Sequence, residues 1–314
     1  MSKAAFIGLG AMGSRMAANL LKAGHEVTVC DLAPDAVKKL ADFGAKTAPS
    51  ARQAAEGNDF VLTMVRDDEI SRKVWLDATT GALAGMKPGA IAIECSTITP
   101  AWARELGGAI SKAGTAMLEA PVSGSTPQAE NAQLVFLIGG DVETLKREEP
   151  LLKGMGSGVQ RAGPVGAGAL AKLITNTLMG VQLSTIAEMI GMLNRQGVDP
   201  KQVLDAVAAT PLWSPHLTSD TESMLGGDFE SHFPIKLLVK DLNYTVKTAG
   251  DDASVPTVSA ARDVFQKAMN EKLGDLNMTA VVKLFDNRNR AFPMNQHDAE
   301  AVDDRKFQRG TANA

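Results

Sequence analysis

Only two cysteines, Cys30 and Cys95, occur in the 314 residues, and both fall at the ends of apolar runs that read as buried strands. Two cysteines build no disulfide framework, so a reducing cytoplasm is the expected setting. The four histidines, His25, His216, His232 and His297, are scattered without ligand spacing and without a cysteine pair beside them. No metal site is expected from them. A Gly-x-Ser-x-Gly elbow is missing, which argues against a serine hydrolase. Long hydrophobic runs are missing too. The uncharged stretch from Leu173 to Ala187 has 15 residues and is interrupted by Asn176, Gln182 and several Ser and Thr. That is too short and too polar for a membrane span. An excess of positive charge is also absent. With a net charge of −4, chain-wide attraction to nucleic acid or anionic lipid is not expected. The first strand begins near residue 4, which leaves no stretch for a signal or transit peptide.

What is present is a soluble composition, 45% apolar and 22% charged, in a chain long enough for two domains. Ala4–Ile7 is a short apolar run followed by Gly8-Leu9-Gly10-Ala11-Met12-Gly13. Met16, Leu20 and Ala23 then recur at helical spacing, with Gly24 placed to cap that helix. A second strand, Glu26–Cys30, ends at Asp31. Strand, GxGxxG, helix, strand and acid within about 30 residues form the dinucleotide-binding unit. In it Gly8 permits the tight turn, Gly10 lets the backbone approach a pyrophosphate, and Gly13 allows close packing. The helix start, Leu9 through Met12, offers free N–H groups. Asp31 lies 18 residues after Gly13 and is followed by Leu32 and Ala33. A carboxylate there suits ribose hydroxyls and repels a 2′-phosphate, so NAD is expected over NADP. Asp31 could also cap the helix beginning at Pro34.

Further strands are read at Phe60–Val65, Ala90–Cys95, Ala116–Ala120 and Leu134–Ile138, each followed by a loop. Alternating strands and helices predict an α/β fold: a Rossmann-type, doubly wound, mostly parallel sheet whose ligands bind beyond the strand ends. After residue 165 the strand signals stop. The boundaries expected are a dinucleotide-binding domain over 1–164, an all-helical substrate and oligomerisation domain over 165–286, and a polar tail over 287–314 that reads as disordered. Lys172 to Arg195 reads as one long interdomain helix, apolar on more than one face and therefore buried. Helices are also expected over 201–209, 257–272 and 277–285. Trp213, in an irregular loop, could cap a pocket or fill the core.

Two sites stand out from the residues themselves. Ser123 and Gly124 follow a strand and Pro121, and a hydroxyl with turn N–H groups makes a compact carboxylate cradle. Lys172 follows the glycine-rich turn Gly163–Gly168 and shares a helix face with Asn176. A lysine among Ala, Leu and Ile needs a partner or a task, and desolvation could lower its pKa toward the working pH. Lys240 reads either as a functional group or as half of a surface ion pair with Asp241.

With these pieces placed, the chain resembles the β-hydroxyacid dehydrogenase family, which includes 3-hydroxyisobutyrate dehydrogenase, tartronate semialdehyde reductase and the glyoxylate/succinic semialdehyde reductases. The resemblance runs from Ala4 to about Phe285 and rests on Gly8–Gly13, Ala120-Pro121-Val122-Ser123-Gly124, Gly163–Asn176 and Lys240-Asp241-Leu242, in that order. It implies that Thr97 touches the nicotinamide end of the cofactor and that Ser123 and Gly124, with Ser125 beside them, hold the substrate carboxylate. It implies that Lys172 is the catalytic lysine with Asn176 beside it, and that Lys240 contacts the cofactor. Val65 and Arg66 stand where many members carry Leu-Pro along the cofactor. The chain departs from the pattern at Ser125, where a second glycine is frequent. It departs also at Glu119, where many members have aspartate, and at Asn131-Ala132, where a glycine is common. The activity implied is NAD-dependent oxidation of a small 3-hydroxy acid such as 3-hydroxyisobutyrate by a homodimer or homotetramer. The alternatives are an NAD(P)H-dependent semialdehyde, glyoxylate or tartronate semialdehyde reductase, an imine reductase, and a non-catalytic NAD-binding scaffold; Lys172 argues against the imine reductase, and Lys172 with Asn176 against the scaffold.

Overall fold

A computed structural model describes residues 2–285; the tail expected over 287–314 lies outside the described residues. The first part is built on a nine-stranded sheet. Its strands are β1 (Lys3–Ile7), β2 (Glu26–Cys30), β3 (Lys46–Thr47), β4 (Phe60–Thr63), β5 (Ile91–Glu94), β6 (Ala116–Glu119), β7 (Val122–Ser123), β8 (Leu134–Gly140) and β9 (Gly156–Gly163). The order is β3-β2-β1-β4-β5-β6-β8, with β7 pairing the β6 side of β8 and β9 pairing β8 as well. The first six strands are parallel, in register Phe6↔Val29, Phe6↔Leu62, Leu62↔Ile93 and Ile93↔Leu118. β1, β4 and β5 are buried on both faces, which is why they read as continuous apolar runs.

Helices cover both faces: α1 (Gly13–Lys22), α2 (Pro34–Asp42), α3 (Ala51–Ala55), α4 (Asp68–Leu76), α5 (Pro100–Lys112), α6 (Thr126–Glu130) and α7 (Val142–Lys153). One core gathers Phe6, Met16, Leu20, Leu62 and Phe136; the other gathers Trp75, Trp102, Leu106 and Ile110. The strand read at Leu134–Ile138 departs from the parallel pattern. As β8 it runs antiparallel to β6, with Gly139 opposite Glu119 and Gly140 opposite Leu118, so the chain leaves the strand away from the ligand side. β7 and β9 carry too little apolar alternation to be seen in the sequence: Val122–Ser123 is two residues long, and Gly156–Gly163 is half exposed.

The second part is helical: α8 (Ala167–Arg195), α9 (Pro200–Ala208), α10 (Pro215–Gly226), α11 (Ile235–Ala249), α12 (Pro256–Asn270) and a closing 3₁₀ segment, Met278–Leu284. The segment read as a helix over 277–285 is thus 3₁₀, and α10 was not anticipated. Leu183, Ala187, Ile190, Leu238, Leu242, Phe265 and Val281 form the core around the far half of α8. The expectation that α8 is buried all round is corrected at its near half. Ile174 and Leu178 are 58% and 59% exposed, because no element among the described residues covers that face.

Candidate active site

The dinucleotide turn is set by steric needs. Gly8 has φ of +93°, and a Cβ there would overlap the Met64 carbonyl; a Cβ on Gly13 would overlap the Gly8 carbonyl. Around Gly10 the space is open, so its backbone faces outward without obstruction. Leu9, Ala11 and Met12 complete the turn into α1. Asp31, just past β2, accepts hydrogen bonds from Leu9 N at 2.5 Å and Ala33 N at 2.7 Å. It therefore braces the glycine loop and is not the cap of α2, whose N-cap position is Ala33. An open glycine turn at a helix N-terminus, beside a carboxylate at the next strand's end, fits a nicotinamide dinucleotide.

Beyond β4 and β5 the loops are tied together. Val65 N donates to Ser96 Oγ at 2.8 Å. Arg66 pairs with Asp67, which caps α4 through Ile70 N. Asp68 accepts from Thr99 N and Thr99 Oγ1 at 2.8 and 2.6 Å. Helix α11 then reaches across from the helical part. Lys240 Nζ donates to the Thr97 carbonyl at 3.0 Å and sits 4.6 Å from the Tyr244 ring centroid. Tyr244 Oη accepts from Asp68 N at 3.1 Å. Burial raises the Tyr244 pKa to about 12, so the phenol stays protonated.

The lysine on α8 faces the same place. Lys172 Nζ donates to Asn176 Oδ1 at 2.9 Å, and Asn176 Nδ2 donates to Asp241 Oδ2 at 2.6 Å. The other oxygen of Asp241 lies 2.7 Å from Lys240 Nζ, an ion pair sealed from solvent on the aspartate side. Burial drops the Lys172 pKa to about 8, with Asp241 pulling it up and Lys240 pushing it down. So the structure brings together Lys172, Asn176, Lys240 and Thr97 through one carboxylate. Asp241 is the member that sequence reasoning passed over. Its signal was an acid adjoining Lys240 on an apolar helix, beside Leu238 and Leu242.

The third group sits where β7 meets α6. Gly124 has φ of +116°, and a Cβ there would crowd Gln128 and Leu134. Ser123 ends β7, and Ser125 N donates to Gln128 Oε1 at 2.9 Å as α6 begins. Ser125 Oγ is buried without a partner among the described residues. α8 packs against β7, which brings the Ser123 turn and the lysine helix to one wall. His232, which carried no role in the sequence, bonds Thr126 Oγ1 through Nδ1 at 3.0 Å and ties the helical part to this turn. Trp213 does not sit in this group; its Nε1 bonds Thr218 Oγ1 at 3.0 Å and its ring packs on the helical core. No cluster of metal-ligating side chains occurs among the described residues.

Residues 3–163 match the family model of the NAD binding domain of 6-phosphogluconate dehydrogenase. Residues 166–285 match that of the NAD-binding domain of NADP-dependent 3-hydroxyisobutyrate dehydrogenase. The chain belongs to the β-hydroxyacid dehydrogenase family. It is 36% identical to an NAD-dependent L-serine dehydrogenase of Pseudomonas aeruginosa, covering 91% of this chain and 98% of that one. It is 36% identical to the 3-hydroxyisobutyrate dehydrogenase of the same organism, covering 91% and 99%. Among solved structures, Mycobacterium tuberculosis 3-hydroxyisobutyrate dehydrogenase with L-serine superposes with a TM-score of 0.82 at 32% identity, covering 91% and 99%. The protein is thus an NAD(P)-dependent hydroxyacid dehydrogenase acting on a CH–OH group. No helix among the described residues is long and apolar enough to cross a membrane.

Proposed function

We propose that this dehydrogenase oxidises a small 3-hydroxy carboxylate with NAD, with Lys172 as the general base. The observation that carries the reading is the buried Lys172–Asn176–Asp241 relay, in which burial brings the lysine pKa down to about 8. The cofactor, when bound, supplies the two-electron acceptor for the carbinol hydrogen. The protein's part is to bind, orient and manage the proton. Lys172 Nζ takes the hydroxyl proton as the C–H bond breaks and the carbonyl forms; in reverse, the ammonium returns it and stabilises the developing oxyanion. Asn176 holds Lys172 in place through its carbonyl oxygen, and Asp241 fixes the Asn176 amide so that this oxygen points at the lysine. Ser123, Gly124 and Ser125 hold the carboxylate, which sets the carbinol carbon against the nicotinamide. Gly8 to Gly13 hold the pyrophosphate, Asp31 the adenosine ribose, and Val65, Arg66, Thr97 and Lys240 line the cofactor's nicotinamide half. Asp31 supports NAD, because a 2′-phosphate would face its carboxylate.

The substrates named for the relatives, 3-hydroxyisobutyrate and L-serine, share a CH₂OH carbon next to a carbon bearing the carboxylate. We place this chain's substrate in that class. The two buried cysteines suit the cytoplasm. A second copy of the chain would cover the exposed Leu170, Ile174 and Leu178 stripe on α8, in a dimer or tetramer.

The test is a panel of 3-hydroxy acids and semialdehydes with both cofactors, read by the absorbance of reduced nicotinamide. Turnover of 3-hydroxyisobutyrate or L-serine with NAD preferred is expected. Turnover only of semialdehydes or glyoxylate with NADPH would replace this reading by a reductase. Tight NAD binding with no turnover would replace it by a non-catalytic scaffold.

A further inference from the structure

Two buried carboxylates stand side by side at the carboxyl ends of neighbouring strands. Glu94 ends β5, Glu119 ends β6, and they are register partners. Their side chains are 0% and 1% exposed, and no ion pair with a cation is formed by either among the described residues. Buried carboxylates are costly unless hydrogen-bonded, so what each accepts from shows what it holds.

Glu94 holds the cofactor side. Its Oε1 accepts from Ser96 N at 2.8 Å, and its Oε2 accepts from Ser71 Oγ at 2.6 Å and Trp75 Nε1 at 2.9 Å. Ser71 Oγ in turn accepts from Trp102 Nε1 at 2.9 Å, and Ser96 Oγ accepts from Val65 N. One carboxylate thus anchors the loop carrying Ser96 and Thr97 to α4 and α5, and through Ser96 it fixes the loop carrying Val65.

Glu119 holds the lysine side. Its Oε2 accepts from Gly166 N and its Oε1 from Ala169 N at 3.0 Å, while Gly168 N adds a third donor. These are the orphan N–H groups at the start of α8, three to six residues before Lys172. Burial raises the Glu119 pKa, the neighbouring Glu94 adds to that, and the three N–H donors oppose it. The fit depends on glycine: a Cβ on Gly139 would overlap Glu119 Oε2, and one on Gly168 would lie 2.7 Å from the Leu137 carbonyl. The helix start is therefore seated directly on β8, at a depth set by the length of the glutamate arm.

We propose that Glu94 and Glu119 are separate positioning residues for the two halves of the reaction, Glu94 for the nicotinamide-binding loops and Glu119 for the helix that presents Lys172. The proposal rests on Lys172 as the base. It states that one sheet edge sets cofactor placement and proton transfer independently, through adjacent strands.

The experiment compares Glu94→Gln with Glu119→Gln in the full chain. An amide accepts at only one oxygen, so each substitution turns an NH₂ against protein donors. NADH affinity is read by fluorescence titration, without turnover, and kcat by steady-state oxidation at saturating NAD. Glu119→Gln is expected to lower kcat by roughly ten- to a hundredfold, as a displaced reacting group does, with NADH affinity within about twofold. Glu94→Gln is expected to weaken NADH binding by about tenfold, with a smaller change in kcat. The aspartate variants keep the charge and shorten the arm, and they serve if a glutamine variant does not fold; the same split is expected. Equal effects on both parameters at both positions would overturn the proposal, as would wild-type values, or failure of both substitutions to fold at either position. The lysine reading is judged apart, by Lys172→Ala: if that variant stays active, the base assignment fails while the Glu94 effect on NADH affinity stands.

Discussion

Replacing Asp241 by asparagine should move the pH dependence of the reaction by a calculable amount. An ordinary lysine with a pKa near 10.5 is neutral in about one molecule in three thousand at pH 7. With the pKa at about 8, roughly one in eleven is neutral, a gain of about three-hundredfold in competent base. Asp241 opposes that gain, since its charge favours the ammonium. Asn176 bridges the two groups with bonds of 2.9 and 2.6 Å. That chain separates ammonium from carboxylate by about 6–7 Å, and at an effective dielectric of about 20 the attraction is about 2.5 kcal/mol. Removing it would lower the lysine pKa by close to two pH units at full strength, and by at least about one after solvent relaxation. Lys240, losing its ion-pair partner, pushes in the same direction. The neutral base then persists to lower pH, so the rising limb of kcat/KM for oxidation moves toward acid by about one pH unit or more. The assay is the initial rate of NADH formation across about pH 6 to 10, for wild type and Asp241→Asn. A limb that stays in place or moves toward alkali would refute the electrostatic account of this site.

Other consequences can be checked directly. Lys172→Ala should abolish turnover while leaving NADH affinity nearly intact; near-normal rates would end the general-base reading. Asp31→Ala should weaken NAD more than NADP, and equal losses would undo the cofactor preference. Ala132 adopts φ of +53°, a left-handed conformation that glycine takes at less cost than alanine. Ala132→Gly should therefore stabilise the fold by about 0.5–1 kcal/mol, read as a rise in Tm of about 2 °C. Ile174→Lys on the exposed face of α8 should leave the monomer fold intact and lower the assembly state measured by light scattering; an unchanged mass would place the subunit contact elsewhere.

The departures between sequence and structure have identifiable causes. β7 is two residues long and β9 is a half-exposed, glycine-rich edge, so neither shows the period that marks a strand. β8 looks like its parallel neighbours in composition; only its pairing with Glu119 and Val122 reverses it. The near half of α8 is as apolar as a core helix, and the sequence could not say that none of the described residues covers it. Lys240 had two readings, and the structure combines them: it forms the ion pair with Asp241, and it also spans from α11 to the Thr97 carbonyl.

Local rules determined much of the protein. The GxGxxG turn, the acid at the end of β2 and the alternation of strand and helix follow from backbone sterics and burial, and these act within about 30 residues. The lysine after a glycine turn, with Asn176 one helical turn on, is also a matter of short-range geometry. Tertiary structure alone decided what joins them. Asp241 lies 65 residues from Asn176, and Tyr244 lies 176 residues from Asp68, yet each pair is hydrogen-bonded. The same holds for Glu119 and the helix start some 50 residues later. Such contacts leave no periodic trace, because a buried carboxylate is satisfied by whichever donors the packed chain delivers. The depressed lysine pKa belongs to this second class, since burial is a property of the whole fold and not of the residues next to Lys172.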